Sequence, residues 1–145
     1  EKLLEGVKAN YDYIIIDCPP AMGLLTLNAL VPSDSVLVPL EAEFYAYKGI
    51  DRLISIIENV QFNFNPELHI GGVFITKCNS QRVLTENIKT SVKKHFGDKL
   101  FDTSIRVNVA LAEAPVTGQD IFNYAPNSNG AIDYSNLVDE ILIKV

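Results

Sequence analysis

The chain has 145 residues, 48% of them hydrophobic and 21% charged, which is the range of one globular domain and excludes a disordered tail or linker. Eighteen acidic against twelve basic side chains give a net charge of -6, so any nucleic-acid contact has to come from a local basic patch, and a histone-like protein is excluded. No apolar run approaches the roughly 20 residues needed to span a bilayer, and Glu1-Lys2-Leu3-Leu4-Glu5 lacks the apolar core of a signal peptide; a soluble, intracellular protein is expected.

The first nine residues read as the end of an amphipathic helix. With Glu1 where an initiator Met would stand, they suggest a piece of a longer protein. Tyr13-Ile14-Ile15-Ile16-Asp17, closed by Cys18-Pro19-Pro20, is a short apolar, mostly β-branched run of the kind that forms strands buried on both faces of a parallel sheet. Residues 24–31 suit a helix stopped by Pro32, and residues 35–40 a second buried strand. Between Lys48 and Val60, the residues Ile50, Leu53, Ile54, Ile57 and Val60 mark one helical face that ends by Asn63 to Pro66. The next strand is expected at Leu68 to Thr76.

From Val83 to Phe96 the apolar positions Leu84, Ile88, Val92 and Phe96 recur every four residues, a helix with Gly97 as its C-terminal cap. A strand follows near Leu100 to Ile105. Val107 to Ala114 suits a short helix before Pro115, and Ile121 to Tyr124 a short strand or extended loop. Asn127-Ser128-Asn129-Gly130 leads into a last helix with an apolar stripe of Tyr134, Leu137, Val138, Ile141 and Leu142. Alternating strands and helices predict an α/β fold, a mostly parallel sheet with helices on both faces. No repeat or linker divides residues 1–145, so one domain is expected. Cys18 and Cys78 fit no metal pattern and are expected as reduced thiols; His69 and His95 have no partner histidine at i,i+4, which argues against zinc.

In open α/β sheets ligands bind beyond the carboxyl ends of the strands. Here those positions are Asp17 to Pro20, Glu41 to Glu43, Lys77 to Ser80 and Arg106 to Asn108. An Asp closing an Ile-Ile-Ile strand has the pattern of a Walker B carboxylate that holds Mg²⁺ through water. The bland alternative is an Asp that caps the following turn. Residues 77–99 carry six Lys and Arg against Glu86 and Asp98, a local +4 that leaves -10 for the remainder. On a helix Arg82, Lys89 and Lys93 fall within about 40° of one another, a stripe able to touch phosphates without reading sequence. A solvated helix face has the same appearance.

The run from Tyr11 to Leu30, with Asp17-Cys18-Pro19-Pro20 and Gly23 at its centre, resembles the Walker B and switch II segment of ParA-type partition ATPases, the deviant Walker A group that includes MinD-type relatives. The resemblance continues through Phe44 to Gly49, Asn65-Pro66, His95 to Lys99, Ala112-Glu113-Ala114-Pro115 and Tyr124 to Ala131. It implies a P-loop NTPase fold and a nucleotide-dependent homodimer using ATP and Mg²⁺. It further implies nonspecific DNA and a centromere-binding protein as partners, a cytoplasmic, nucleoid-associated location and no stable membrane anchor.

By the same resemblance Asp17 holds Mg²⁺ through water, and Cys18, Pro19, Pro20 and Gly23 form a switch loop. Asn79, Arg106 and Asn108 face the nucleotide, while the local basic charge, not the resemblance, marks Arg82, Lys89, Lys93 and Lys94 as the DNA-facing candidates. Where the family often shows Ile-Pro-Arg-Asn-Val-Arg-Leu, this chain has Ile105-Arg106-Val107-Asn108-Val109-Ala110-Leu111, so two expected arginines are missing. Ser80-Gln81 likewise replaces a common Ser-Arg. None of the eight glycines precedes a Lys-Thr or Lys-Ser pair, so the Gly-rich phosphate loop, which the resemblance places upstream along with the catalytic residues, is absent.

The chain is therefore expected to be the C-terminal portion of such an ATPase, inactive alone, with strand 13–17 pairing elsewhere in its own sheet or with a second molecule. The alternatives are a non-catalytic dimerisation or interaction module and a MinD-type membrane-associated ATPase. For the last, the acidic face of Asp133, Asp139 and Glu140 against Lys144 suits anionic lipid poorly.

Overall fold

A computed structural model describes residues 2–19, 23–42, 49–79 and 83–145. Its contacts fall into two compact units, Glu1–Val36 with Arg52–His69, and Leu37–Asp51 with Ile70–Val145. In chain order the elements are α1 (Lys2–Lys8), α2 (Leu24–Leu30), β1 (Ser35–Glu41), α3 (Ile50–Asn63), β2 (His69–Cys78), α4 (Val83–Phe96), β3 (Leu100–Arg106), α5 (Val109–Glu113), α6 (Ile121–Tyr124) and α7 (Asn129–Lys144). Single 3₁₀ turns cover Gly97–Lys99 and Ala114–Thr117.

In the first unit α2 begins at an extended Gly23 and runs to Leu30, short of Pro32. The turn after α3 is fixed by one side chain: the Asn65 Nδ2 donates to the carbonyls of Val31 (3.0 Å) and Ser33 (2.8 Å), and its Oδ1 accepts from the Glu67 amide at 3.2 Å. Gln61 donates to the Leu68 carbonyl at 2.6 Å. Leu30, Ile57, Val60 and Leu68 are buried there, the face that the 3.6-residue period marks on α3.

The expected strand at Tyr13 to Asp17 is not formed. Those residues lie in no helix, turn or sheet, and Ile15 is 91% exposed with Ile14 and Ile16 at 39%. A strand exists only where a neighbour accepts its backbone groups, and no described residue pairs with this run. Neither pairing with the chain's own sheet nor burial on both faces is therefore observed.

The sheet has the order β1-β2-β3. β2 and β3 run parallel, in register at Val73↔Leu100, Ile75↔Ser104 and Cys78↔Arg106. The intervals are unequal. Between the first two pairs β3 spends four residues against two of β2, and between the last two β2 spends three against two, so both strands bulge. The β2 bulge sits at Lys77, whose φ of +53° is left-handed. It changes the phase of the strand: Val73 and Ile75 are buried, then Cys78 rather than residue 77.

Phe101, Ile105 and Leu137 form the buried core between β3 and α7, surrounded by Leu37, Phe74, Leu111, Tyr134 and Ile141. Gly72 makes this packing possible, because a Cβ there would lie 2.1 Å from Cζ of Phe101. α4 buries Val92 and Phe96 and ends before Gly97, at φ +56°, as its spacing predicts. Ile121–Tyr124 corrects the expectation of a strand: it is one helical turn, because the Asp120 side chain accepts the Asn123 amide at 2.9 Å and caps it. On α7, Ser128 is the N-cap, and of the predicted stripe Leu137 is buried while Val138 and Leu142 are 47% and 53% exposed.

Candidate functional site

The carboxyl ends of β1, β2 and β3 carry Glu41, Lys77-Cys78 and Arg106. Lys77 Nζ lies 2.5 Å from Glu41 Oε1, an exposed pair across neighbouring strand ends. Thr76 donates to the Leu40 carbonyl, and the Ala42 amide to the Thr76 carbonyl at 3.0 Å, which fixes these ends side by side. Cys78 points inward. Burial pushes its thiol up, while the charge of Lys89 and a hydrogen bond with Ser104 pull the other way, so it is a poor nucleophile. Cys18 is a free thiol in the first unit, half-buried with Sγ 3.8 Å from the Ile16 carbonyl.

Arg106 and Asn108 are engaged within the chain. Arg106 Nη2 donates to Asp133 Oδ1 at 2.6 Å, Nε donates to Oδ2 at 2.9 Å, and its backbone amide donates to Oδ2 at 2.9 Å. Asp133 is 6% exposed. Burial alone would raise its carboxyl, yet the hydrogen bonds and charge of Arg106 outweigh this and hold it low. Arg106 thus stands where the resemblance led to a proline, and Asp133 on α7 answers it. Asn108 Oδ1 accepts the Ala110 amide at 2.9 Å and caps α5. Asn79, exposed at the end of β2, lends its carbonyl to the Thr85 hydroxyl at 3.0 Å at the start of α4.

Asp17 is exposed beyond the isoleucine run, and its carboxylate makes no hydrogen bond or ion pair among the described residues. Among the described residues no group of three or more His, Cys, Asp or Glu could hold a metal ion, so Asp17 stands as a single candidate ligand. Pro19 is exposed and Gly23 opens α2; Pro20, Arg82 and the segments 43–48 and 80–81 lie outside the described residues. Asp17, Cys18 and Gly23 belong to the first unit, and Asn79, Arg106, Asn108 and the lysines to the second.

Of the basic residues, Lys89 is half-buried, Lys93 lies 4.0 Å from Asp98, and Lys94 is exposed. The acidic face expected on the last helix needs correction, because Asp133 and Glu140 turn toward β3. Glu140 accepts the amides of Asp102 (2.8 Å) and Thr103 (2.9 Å) and pairs with Lys144 at 2.7 Å. Sequence reasoning missed this role. The signal was a pair of acids seven residues apart, on one helical face, beside an apolar stripe. No helix among the described residues is long and apolar enough to cross a membrane.

The parallel α/β arrangement is that of P-loop nucleotide hydrolases, and solved structures agree. Cobyrinic acid a,c-diamide synthase from Mycobacterium smegmatis superposes with a TM-score of 0.79 at 28% identity, covering 97% of this chain and 51% of that one. The same enzyme has been solved with ADP and magnesium and with an ATP analogue and magnesium. A plasmid partition protein from Borrelia burgdorferi shares the fold, with a TM-score of 0.68 at 23% identity, over 99% of this chain and 52% of its own.

A family model described as an AAA domain matches residues 1–70. The sporulation initiation inhibitor protein Soj of Bacillus subtilis is 46% identical over 141 residues, 97% of this chain and 56% of Soj. The chromosome partitioning protein ParA of Caulobacter vibrioides is 40% identical over 96% of the chain and 53% of its own length. By sequence the chain is similar to proteins of the ParA/Soj type, and it spans about half the length of the curated relatives it matches.

Proposed function

We propose that this chain is the C-terminal portion of an ATPase domain that partitions DNA, and that the complete protein hydrolyses ATP with Mg²⁺. The observation that supports this most is the 46% identity to Soj across 97% of the chain. Asp17 is the residue for the metal: its exposed carboxylate, without a hydrogen bond or ion pair among the described residues, suits a Mg²⁺-bound water, while Cys18, Pro19, Pro20 and Gly23 shape the loop that follows. Mg²⁺ supplies charge neutralisation of the nucleotide phosphates. Asn79 is the nucleotide-facing candidate in the second unit. Arg106 and Asn108 reach a nucleotide only by releasing the partners they hold here.

In this reading the complete protein is a nucleotide-dependent homodimer on nonspecific DNA in the nucleoid, stimulated by a centromere-binding protein. Arg82, Lys89, Lys93 and Lys94 are its DNA-facing candidates. The 145-residue chain does not hydrolyse ATP alone, since no glycine of its sequence opens a phosphate loop with Lys and Thr. The test is Asp17→Ala in the complete protein, which is expected to retain its fold and lose Mg²⁺-dependent ATPase activity by at least about tenfold. Parental activity in that variant removes Asp17 from the site.

A further inference from the structure

β2 does not run straight to its end. From Ile75↔Ser104 to Cys78↔Arg106 it spends three residues while β3 spends two, so one residue has to leave the pleat. Lys77 is that residue. Among the described residues it alone, apart from glycines, has a positive φ, +53°, a left-handed conformation that crowds a Cβ against the following carbonyl and that glycine adopts freely. Contacts on both sides hold it there. Lys77 Nζ lies 2.5 Å from Glu41 Oε1 at the end of β1, and Thr76 is tied to the same strand end, its hydroxyl donating to the Leu40 carbonyl at 3.3 Å and its carbonyl accepting the Ala42 amide at 3.0 Å. Beyond the bulge the Cys78 carbonyl accepts the Val107 amide at 3.0 Å. Asn79 is fixed in turn, because its carbonyl accepts the hydroxyl of Thr85, a residue 3% exposed in the first turn of α4, at 3.0 Å.

The consequence is a change of phase. Side chains alternate along a strand, so in an unbroken β2 the face that carries Val73 and Ile75 would next receive residues 77 and 79. A lysine and an asparagine would then enter the interior, and the Cys78 thiol would turn out of it. With one residue spent at the bulge, Cys78 follows Val73 and Ile75 inward and Asn79 falls out of phase with all three. Asn79 therefore stands at the carboxyl end of a parallel strand, the place where such sheets bind ligands.

We infer, on the reading that Asn79 faces the nucleotide, that Lys77 is a positioning residue whose left-handed bulge turns Asn79 out of the sheet interior and toward bound ATP. The backbone carries the effect. The ammonium group of Lys77 is turned to Glu41 at the end of β1, so what the nucleotide gains from this residue is the placement of the side chain two positions on. The same bulge keeps the Cys78 thiol inside, which makes that thiol a reporter of the register that is independent of any ligand.

Variants of the complete protein test this. Lys77→Gly and Lys77→Val remove the same ammonium group and the same pair with Glu41, but glycine keeps the left-handed backbone and a β-branched residue resists it. Lys77→Val is expected to speed thiol labelling of Cys78, read on its own peptide by mass spectrometry, at least about fivefold. It is also expected to raise the KM for ATP at least about fivefold, with kcat within about twofold. Lys77→Gly is expected to hold labelling and KM near the parental values. Asn79→Ala is expected to raise KM in the parent and to add nothing in the Lys77→Val background. Should Lys77→Val fail to fold, Lys77→Ala, which meets the left-handed region with a single methyl group, is expected to show both changes at about twofold or more. An unchanged KM in Asn79→Ala overturns the inference together with the reading of Asn79 on which it rests. A raised KM in Asn79→Ala, with Lys77→Gly and Lys77→Val alike in labelling or in KM, overturns the inference alone.

Discussion

Gly72→Ala concentrates the packing of the sheet into one methyl group. Its Cβ would lie 2.1, 2.2 and 2.9 Å from three atoms of the Phe101 ring, whereas carbon atoms rest at about 3.5–4.0 Å. The ring must move by about 1.5 Å. It has little room, since Phe101 is 3% exposed and packed among Ile105, Leu137, Leu37 and Phe74. Overpacking of this kind typically costs about 1–3 kcal/mol, and with neighbours on all sides the upper end is expected, about 3 kcal/mol. At the unfolding entropy usual for 145 residues this lowers the melting temperature by about 10 °C.

Phe101→Leu frees the space and is mildly destabilising by itself, so the double variant is expected to lose at least about 1 kcal/mol less than the sum of the single losses. Thermal unfolding of the four proteins measures the first quantity and urea unfolding the second. A Gly72→Ala midpoint within about 2 °C of the parent, or strict additivity with Phe101→Leu, refutes the packing argument.

The other predictions concern charged groups. Glu140 is held down to about 2, because hydrogen bonds from Lys144, Thr103 and Asp102 outweigh a burial that alone would raise it. A depressed folded pKa stabilises the protein above the unfolded value near 4.5 and loses that contribution as pH falls toward 2, so Glu140→Gln is expected to flatten acid unfolding across that window; an unchanged curve contradicts it. Arg106→Ala leaves a buried Asp133 with its backbone contact alone, so a loss of stability is expected by calorimetry, while nucleotide affinity of the complete protein stays within about twofold. Lys77→Gly relieves a left-handed residue and removes an exposed ion pair, so stability is expected to hold or rise by up to about 1 kcal/mol, and a clear loss refutes that reading.

The sequence showed those elements whose determinants lie within themselves. α4 and α7 carry their apolar period and their caps, Gly97 and Ser128, in contiguous residues, and both form as the spacing predicts. α6 does not show in hydropathy because a single side-chain cap at Asp120 decides it. Tyr13 to Asp17 fails for the opposite reason: its composition specifies a buried strand, but burial and pairing are properties of its neighbours. The candidate site divides in the same way. Asp17 was legible as a carboxylate closing an isoleucine run, whereas the commitments of Arg106 and Asn108 depend on Asp133 and Ala110, contacts that no motif encodes.

Arg106 shows why a motif position and a functional role can separate. A guanidinium at the carboxyl end of a strand is well placed for an anion, and the resemblance assigns it to the nucleotide. Asp133 changes the balance. It is nearly buried, receives two guanidinium nitrogens and the backbone amide of the same residue, and sits on the helix that covers the edge of β3. Drawing Arg106 to a phosphate would leave that nearly buried carboxylate with one amide, a loss that any contact with the ligand has first to offset. An exposed phosphate contact is screened by solvent, so the pair is expected to stay closed.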